Sequence, residues 1–159
     1  MARWQWAGGR GQGSEIMSKD MKNTEDKFYV DYIRLIYTSQ SEKPFAEYVG
    51  NAITDALLDQ IKQCIENNMI SRLEFKCLKD DIGMTIYYEN GMSHIGIVDM
   101  YNDLVYYFSD DTKDKTLIDI AGQVFESGMV CRNNDVLYKI ILYWVRTGKR
   151  YPSVSWIMD

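Results

Sequence analysis

The spacing of apolar and polar residues divides the chain into segments with a helical period and segments with a period of two. Apolar side chains recur every fourth position within 44–69, which predicts a helix whose apolar stripe faces a core. Gly50 and Asn51 interrupt this stripe and would divide the helix in two. A second helix is predicted over 134–147, between a capping asparagine and the stop signal Gly148.

Strand-like patterns occupy most of the remaining chain. Residues 27–37 are rich in strand formers, and apolar and polar residues alternate from residue 72 onward. The segments MTIYYE, SHIGIVD and DLVYYF follow, separated by short turns of glycine, asparagine and aspartate, so neighbouring strands should be antiparallel. The segment 110–130 is predicted to be either a long functional loop or a loop with a short strand around Gln123–Glu126.

These patterns predict a single α+β domain over 18–159, an antiparallel meander of about four to six strands packed against two main helices. With 159 residues, 46% of them hydrophobic, the chain is long enough for one core. Residues 1–17 are glycine-rich and are expected to be a flexible extension or a segment derived from cloning. No apolar run approaches the roughly 18 residues of a membrane span, so a soluble protein is expected, and its unpaired cysteines favour the cytoplasm.

The charge of the chain favours a protein partner over a nucleic acid. The 18 basic and 23 acidic side chains give a net charge of −5, whereas direct nucleic-acid binding needs clustered cations. Carboxylates near predicted turns, together with strand tyrosines, would steer and anchor a basic protein. The alternative is that these turns are simply solvated and that tyrosine is a good strand former. The candidate interface residues are Asp80, Asp81, Tyr88, Glu89, Asp99, Asp103, Tyr107, Asp110 and Asp111.

Catalytic and metal-binding patterns are sparse in the sequence. His94 is the only histidine, and the three cysteines, Cys64, Cys77 and Cys131, lie at none of the usual metal-ligand spacings. A Cys–His pair formed in space is formally possible, but His94 and Cys77 both fit ordinary strand positions. We therefore predict no catalytic residue, no metal site and no cofactor. Unpaired cysteines suggest a reducing compartment.

The end of the chain has a recognisable order: a helix, a glycine stop, a basic turn and a short strand. Thr147 and Gly148 are followed by Arg150 and Trp156, and Pro152 lies in the turn between them. This ending resembles the C-terminal segment of the deaminase-linked immunity proteins of bacterial polymorphic-toxin and contact-dependent inhibition systems, the Imm-one type. In that family a proline usually follows the arginine directly, whereas here Tyr151 does and Pro152 comes one place later. The residues expected to shape this ending are Trp144, Thr147, Gly148, Arg150, Pro152 and Trp156.

The resemblance implies a non-enzymatic immunity protein that binds a cognate secreted toxin domain and occludes its active site or substrate groove. The toxin would act on nucleic acid, with a deaminase as one candidate, and the immunity protein would contact neither nucleic acid nor membrane. The alternative is a small-ligand-binding or enzymatic α+β domain whose sheet and long helix enclose a pocket lined by tyrosines, His94 and a carboxylate.

Overall fold

The fold is an antiparallel sheet that carries two helices on one of its faces. The computed structural model describes residues 27–39 and 41–159. The helices are α1 (Asp55–Glu66) and α2 (Asn134–Thr147). The strands are β1 (Tyr32–Tyr37), β2 (Phe45–Val49), β3 (Ile70–Cys77), β4 (Ile82–Glu89), β5 (Met92–Asp99), β6 (Leu104–Ser109), β7 (Leu117–Ile120), β8 (Gln123–Glu126), β9 (Val130–Cys131) and β10 (Ser155–Met158).

Eight of the described strands form the main sheet, in the order β10-β6-β5-β4-β3-β1-β2 with β9 paired to β5. Every strand pair is antiparallel. The α+β class, the antiparallel meander and the two main helices are therefore confirmed. The predicted strand number of four to six is too low, because the main sheet also contains β2, which was predicted to be helical, and β9, which was not predicted.

Both helices pack on the same face of the sheet, which we call the helix face. The register aligns Ile33, Phe75, Met84 and Ile97 across four neighbouring strands, and these four side chains are at most 1% exposed. Apolar side chains of α1 and α2 complete this core. The side chains between these positions point to the opposite face, which we call the open face.

Side chains cap the N-termini of both helices. The Thr54 hydroxyl accepts a hydrogen bond from the Leu57 N–H at 3.1 Å at the start of α1. The Asn133 carboxamide oxygen accepts from the N–H groups of Asp135 and Val136 at the start of α2. Gly148 ends α2 in the left-handed conformation, with φ 69°. The predicted helix over 134–147 is confirmed at both ends.

The predicted helix over 44–69 is wrong in its first part. Residues Phe45–Val49 form β2, and the helix spans only Asp55–Glu66. Within β2 the side chains of Phe45 and Val49 are exposed and that of Tyr48 packs against the core, which is the period of two of an edge strand. The four-residue spacing of Phe45 and Val49 also fits a strand face, and Gly50 with φ 56° separates β2 from the turn that precedes α1.

The segment 110–130 contains a second, two-stranded sheet. Strand β8 at Gln123–Glu126 confirms the predicted short strand, and it pairs with β7, which the sequence pattern did not predict. The β7–β8 hairpin covers one end of the open face, where the Phe125 ring stacks on His94 at 3.8 Å between ring centroids. Ile120 of β7 is fully buried there.

The predicted first strand over 27–37 is shorter than expected and begins at Tyr32. The residues before it attach to the end of α2. The Tyr29 N–H donates to the Val145 carbonyl at 2.8 Å, and the Tyr29 ring meets Trp144 edge to face. A Cβ at Gly148 would lie 2.4 Å from carbon atoms of the Tyr29 ring, so this close approach requires glycine. The predicted extension at 1–17 lies outside the described residues.

Candidate protein-binding surface

The predicted interface carboxylates lie at the two ends of the sheet. In a meander, alternate turns share an end, so the β3–β4 and β5–β6 turns lie together and the β4–β5 turn lies opposite. The first pair of turns carries Asp80, Asp81, Asp99 and Asp103. The other end carries Glu89, Asp110 and Asp111. About 26 Å separates the two ends, the length of the eight-residue strands β4 and β5.

The two turns that carry the four aspartates touch each other. The Met100 N–H in the β5–β6 turn donates to the Asp81 carbonyl in the β3–β4 turn at 3.0 Å. A cavity of about 390 Å³ lies between them, and Asp80, Asp99 and Tyr101 are among the residues that line it. We call this surface the acidic end and define it by both turns, 78–81 and 99–103.

The acidic end also carries large exposed apolar side chains. Tyr101 is 84% exposed, Met100 is 63% exposed and Leu78 is 60% exposed. Exposed apolar side chains grouped among polar residues are typical of surfaces that bind other proteins. The sequence patterns did not predict Leu78 or Met100 as binding residues, because the alternation of apolar and polar positions predicts exposure only within strands.

Local hydrogen bonds hold the carboxylates of the acidic end in place. The Asp99 carboxylate accepts from the Asn102 N–H at 3.0 Å and from its side-chain amide at 2.8 Å, and these bonds hold the pKa of Asp99 below its usual value. The Tyr29 hydroxyl donates to Asp80 at 2.8 Å. Lys79 is a cation within the same turns. The acidic end therefore carries a net negative charge at neutral pH.

The carboxylates at the opposite end are engaged in holding loops together. Glu89 accepts from the Ala121 N–H at 2.7 Å, which attaches the β7–β8 hairpin to β4. Asp110 accepts from the N–H and the hydroxyl of Thr112, and these bonds lower its pKa. Asp111 accepts from the Ser155 hydroxyl at 2.8 Å. Each of these three side chains has a local structural contact that accounts for its position.

The assignment of Tyr88 to a binding surface is wrong. Tyr88 is 3% exposed on the helix face, where its hydroxyl accepts from the Gly91 N–H and from the Asn134 side-chain amide. Its neighbour Tyr87 faces the open side instead and contacts Phe125. Tyr107 lies on the open face, where its ring covers Gly96 and stands 5.3 Å from the His94 ring.

Charged side chains on the open face neutralise one another. Glu74 is 4% exposed and forms ion pairs with Arg72 at 2.7 Å and with Lys76 at 3.5 Å. Arg34 lies directly opposite Glu74 on β1 and stands 4.0 Å from Glu47 on β2. These groups form a compensated network across three strands, in contrast to the acidic end.

The Cys–His pair that the sequence left open does not form among the residues that the structure describes. His94 points to the open face under Phe125, whereas Cys77 and Cys131 are buried among residues of the helix face and Cys64 belongs to α1. Burial raises the pKa of the Cys64 and Cys131 thiols, which disfavours their thiolate forms. The described residues contain no cluster of three or more side chains suited to a metal ion, and no described helix has the length and apolar character needed to cross a membrane.

The C-terminal residues singled out in the sequence meet near the end of α2. Trp144 is 1% exposed and its indole N–H donates to the Phe75 carbonyl at 3.2 Å. The Thr147 hydroxyl donates to the Tyr143 carbonyl, and the Trp156 indole N–H donates to the Tyr151 carbonyl at 3.0 Å. Arg150 lies over the Tyr106 ring, 3.9 Å from its centroid. Pro152 is exposed in the turn before β10.

We expect the stability of the fold to decrease as the pH falls from about 6.5 to about 4. Burial lowers the pKa of His94 to about 4 from an ordinary value of 6.5, so the unfolded chain takes up this proton at a higher pH than the folded chain does. The free energy of unfolding should lose up to ~3 kcal/mol over this range and be insensitive to His94 above it. Urea unfolding at several pH values measures the loss.

Carboxylates also titrate near pH 4, so the matched variant is His94→Phe, which keeps an aromatic ring beneath Phe125. Its free energy of unfolding should depend less steeply on pH than that of the parent between about pH 6.5 and 4. The same slope in both proteins would contradict the assignment of this pH dependence to His94.

Comparison of the whole chain with models of protein families, with curated proteins and with solved structures finds no match to any of them.

Proposed function

We propose that this protein is a cytoplasmic immunity protein that neutralises a cognate bacterial toxin domain by binding it and occluding its active site or substrate groove. The observation that carries the proposal is the acidic end. The two turns of the acidic end contact each other and carry four aspartates together with three exposed apolar side chains, those of Leu78, Met100 and Tyr101.

The composition of the acidic end suits rapid and tight binding of a basic protein. Carboxylates attract a cationic partner over a distance and raise the association rate, whereas desolvated aromatic and aliphatic side chains supply most of the binding energy. A toxin that acts on nucleic acid needs a cationic groove for its anionic substrate. The acidic end would bind in that groove and exclude the substrate.

The identity of the partner rests on the C-terminal resemblance to deaminase-linked immunity proteins. That resemblance makes a nucleic-acid deaminase domain the first candidate for the toxin. Inhibition by occlusion requires no chemical step, so the proposed role is non-enzymatic and uses no cofactor. Contact with nucleic acid or membrane is not part of it.

Co-expression with the neighbouring toxin tests this function directly. The proposal predicts that the gene directly upstream encodes a toxin, and the probe is the C-terminal domain of that toxin, expressed with and without this protein. Neutralisation predicts that co-expression restores growth and that the two proteins elute together on gel filtration. A domain that remains toxic during co-expression and forms no complex would rule out the proposed function.

A further inference from the structure

A second possible binding site lies on the helix face, at the C-terminal end of α2. A cleft of about 610 Å³ separates the segment 148–154 from the inner sides of β4, β5, β6 and β10. Its floor is formed by Ile82 and Ile97, and its rim by Lys149 and Arg150. Asp99 is the one lining residue that also belongs to the acidic end, and five of the six residues of the C-terminal motif line the cleft, all except Thr147.

Aromatic side chains form the walls of the cleft. Tyr106, Tyr151 and Trp156 are partly buried, and Trp144 lies beneath them at 1% exposure. Both indole N–H groups already donate to backbone carbonyls, at 3.2 Å and 3.0 Å. The walls therefore present aromatic surface without unsatisfied indole donors, which suits an apolar or aromatic body.

Arg150 provides an oriented cation at the rim. Its guanidinium carbon lies 3.9 Å from the centroid of the Tyr106 ring, so the ring occupies a face of the group and leaves the N–H donors in its plane. Within residues 27–39 and 41–159, neither Arg150 nor Lys149 forms an ion pair. A guanidinium held in this way is suited to bidentate binding of a planar oxyanion.

The charge of the cleft is opposite to that of the whole protein. Lys149 and Arg150 against Asp99 give +2 − 1 = +1 for the lining residues, whereas the chain carries −5. The Asp99 carboxylate already accepts two hydrogen bonds from Asn102. An anion is therefore favoured at the Lys149 and Arg150 side of the cleft.

We propose that this cleft binds a small organic carboxylate with an aromatic or large apolar body. The Arg150 guanidinium binds the carboxylate, and the body lies against Tyr106, Tyr151 and Trp156. If Arg150 served only to cover the Tyr106 ring, its replacement would change only the stability of the fold. A measurement of ligand affinity therefore distinguishes packing on Tyr106 from binding of the carboxylate.

The test is an NMR titration of the full chain with 1-naphthylacetate, with the uncharged 1-naphthylacetamide as the matched control. Saturable shifts are expected for the Gly148 and Lys149 amides and the Trp156 indole N–H, while Gly91 at the other end of the sheet stays unchanged. The amide should bind at least about tenfold more weakly, because it cannot form the charged bidentate contact. A parallel titration with 1-naphthyl phosphate distinguishes a carboxylate site from a phosphate site.

Variants assign the effect to the guanidinium. Arg150→Gln should weaken binding of 1-naphthylacetate at least about tenfold, and Arg150→Lys should weaken it less, because lysine keeps the charge but loses the planar fork. Lys139→Gln removes the same charge from an exposed position on α2 and should leave affinity unchanged. The proposal fails if no saturable binding occurs below about 10 mM, if the amide binds equally, if the phosphate alone binds, or if Arg150→Gln has no effect. None of these outcomes depends on neutralisation of a toxin.

Discussion

Replacement of Trp144 by alanine should lower the free energy of unfolding by about 4 kcal/mol, a large fraction of the stability of a domain of this size. Trp144 is 1% exposed, so its removal leaves a cavity between α2 and the sheet. The substitution also removes the hydrogen bond to the Phe75 carbonyl and the edge-to-face contact with Tyr29. Strand β3 and the segment before β1 therefore both lose a contact with α2.

Equilibrium unfolding in urea, followed by circular dichroism, measures this loss. Trp144→Phe is the matched variant, since it keeps an aromatic ring and removes the indole donor, and it should cost about 1–2 kcal/mol. Trp156→Ala is the positional control. It removes the same side chain from a half-buried site in an edge strand and should cost less. A loss below about 2 kcal/mol for Trp144→Ala would show that neighbouring side chains fill the space and that Trp144 is not central to the core.

Neutralising the acidic end should slow association with the toxin domain about tenfold or more at low salt. The double variant Asp81→Asn and Asp103→Asn removes two charges. Asparagine tolerates the positive φ of these two positions, which is 55° and 57°. Most of the effect should fall on the association rate, and the dependence of this rate on salt should decrease. Surface plasmon resonance at several salt concentrations measures both quantities.

The matched control removes the same number of charges from the other end of the sheet. Asp110→Asn and Asp111→Asn also removes two charges, and asparagine keeps an oxygen that can accept the hydrogen bonds of these side chains. We expect a smaller effect on the association rate from this pair. A larger effect would place the binding surface at the opposite end of the sheet, and an equal effect would show that the net charge of the whole protein sets the rate. Either result would contradict our proposal.

Local patterns in the sequence were sufficient to predict the central meander and α2. Alternation of apolar and polar residues identified β3, and the short turns of glycine, asparagine and aspartate marked the ends of β4, β5 and β6. The sequence of β4 also indicates which face of the sheet each of its two tyrosines occupies. Met84, Ile86 and Tyr88 share one face, whereas Tyr87 follows Thr85 on the other, so parity alone would have placed Tyr88 in the core.

Long-range packing determined the elements that the sequence patterns missed. β2 is an edge strand, and its exposed apolar positions have the four-residue spacing that is also typical of a helix. β7 is stable because its hairpin covers His94 on the open face. The grouping of Asp80, Asp81, Asp99 and Asp103 follows from the alternation of turns in a meander and was within reach of the sequence. The contact between these turns and the exposure of Met100 required the structure.

The contact between Tyr29 and the end of α2 has a consequence for the order of folding. The strands from β3 to β6 pair with neighbours that follow directly in the chain, so only short loops must close before they associate. The bond from the Tyr29 N–H to the Val145 carbonyl joins positions more than about one hundred residues apart, which costs more chain entropy. The meander should therefore form early, and the junction at Gly148 should be the last part of the domain to close.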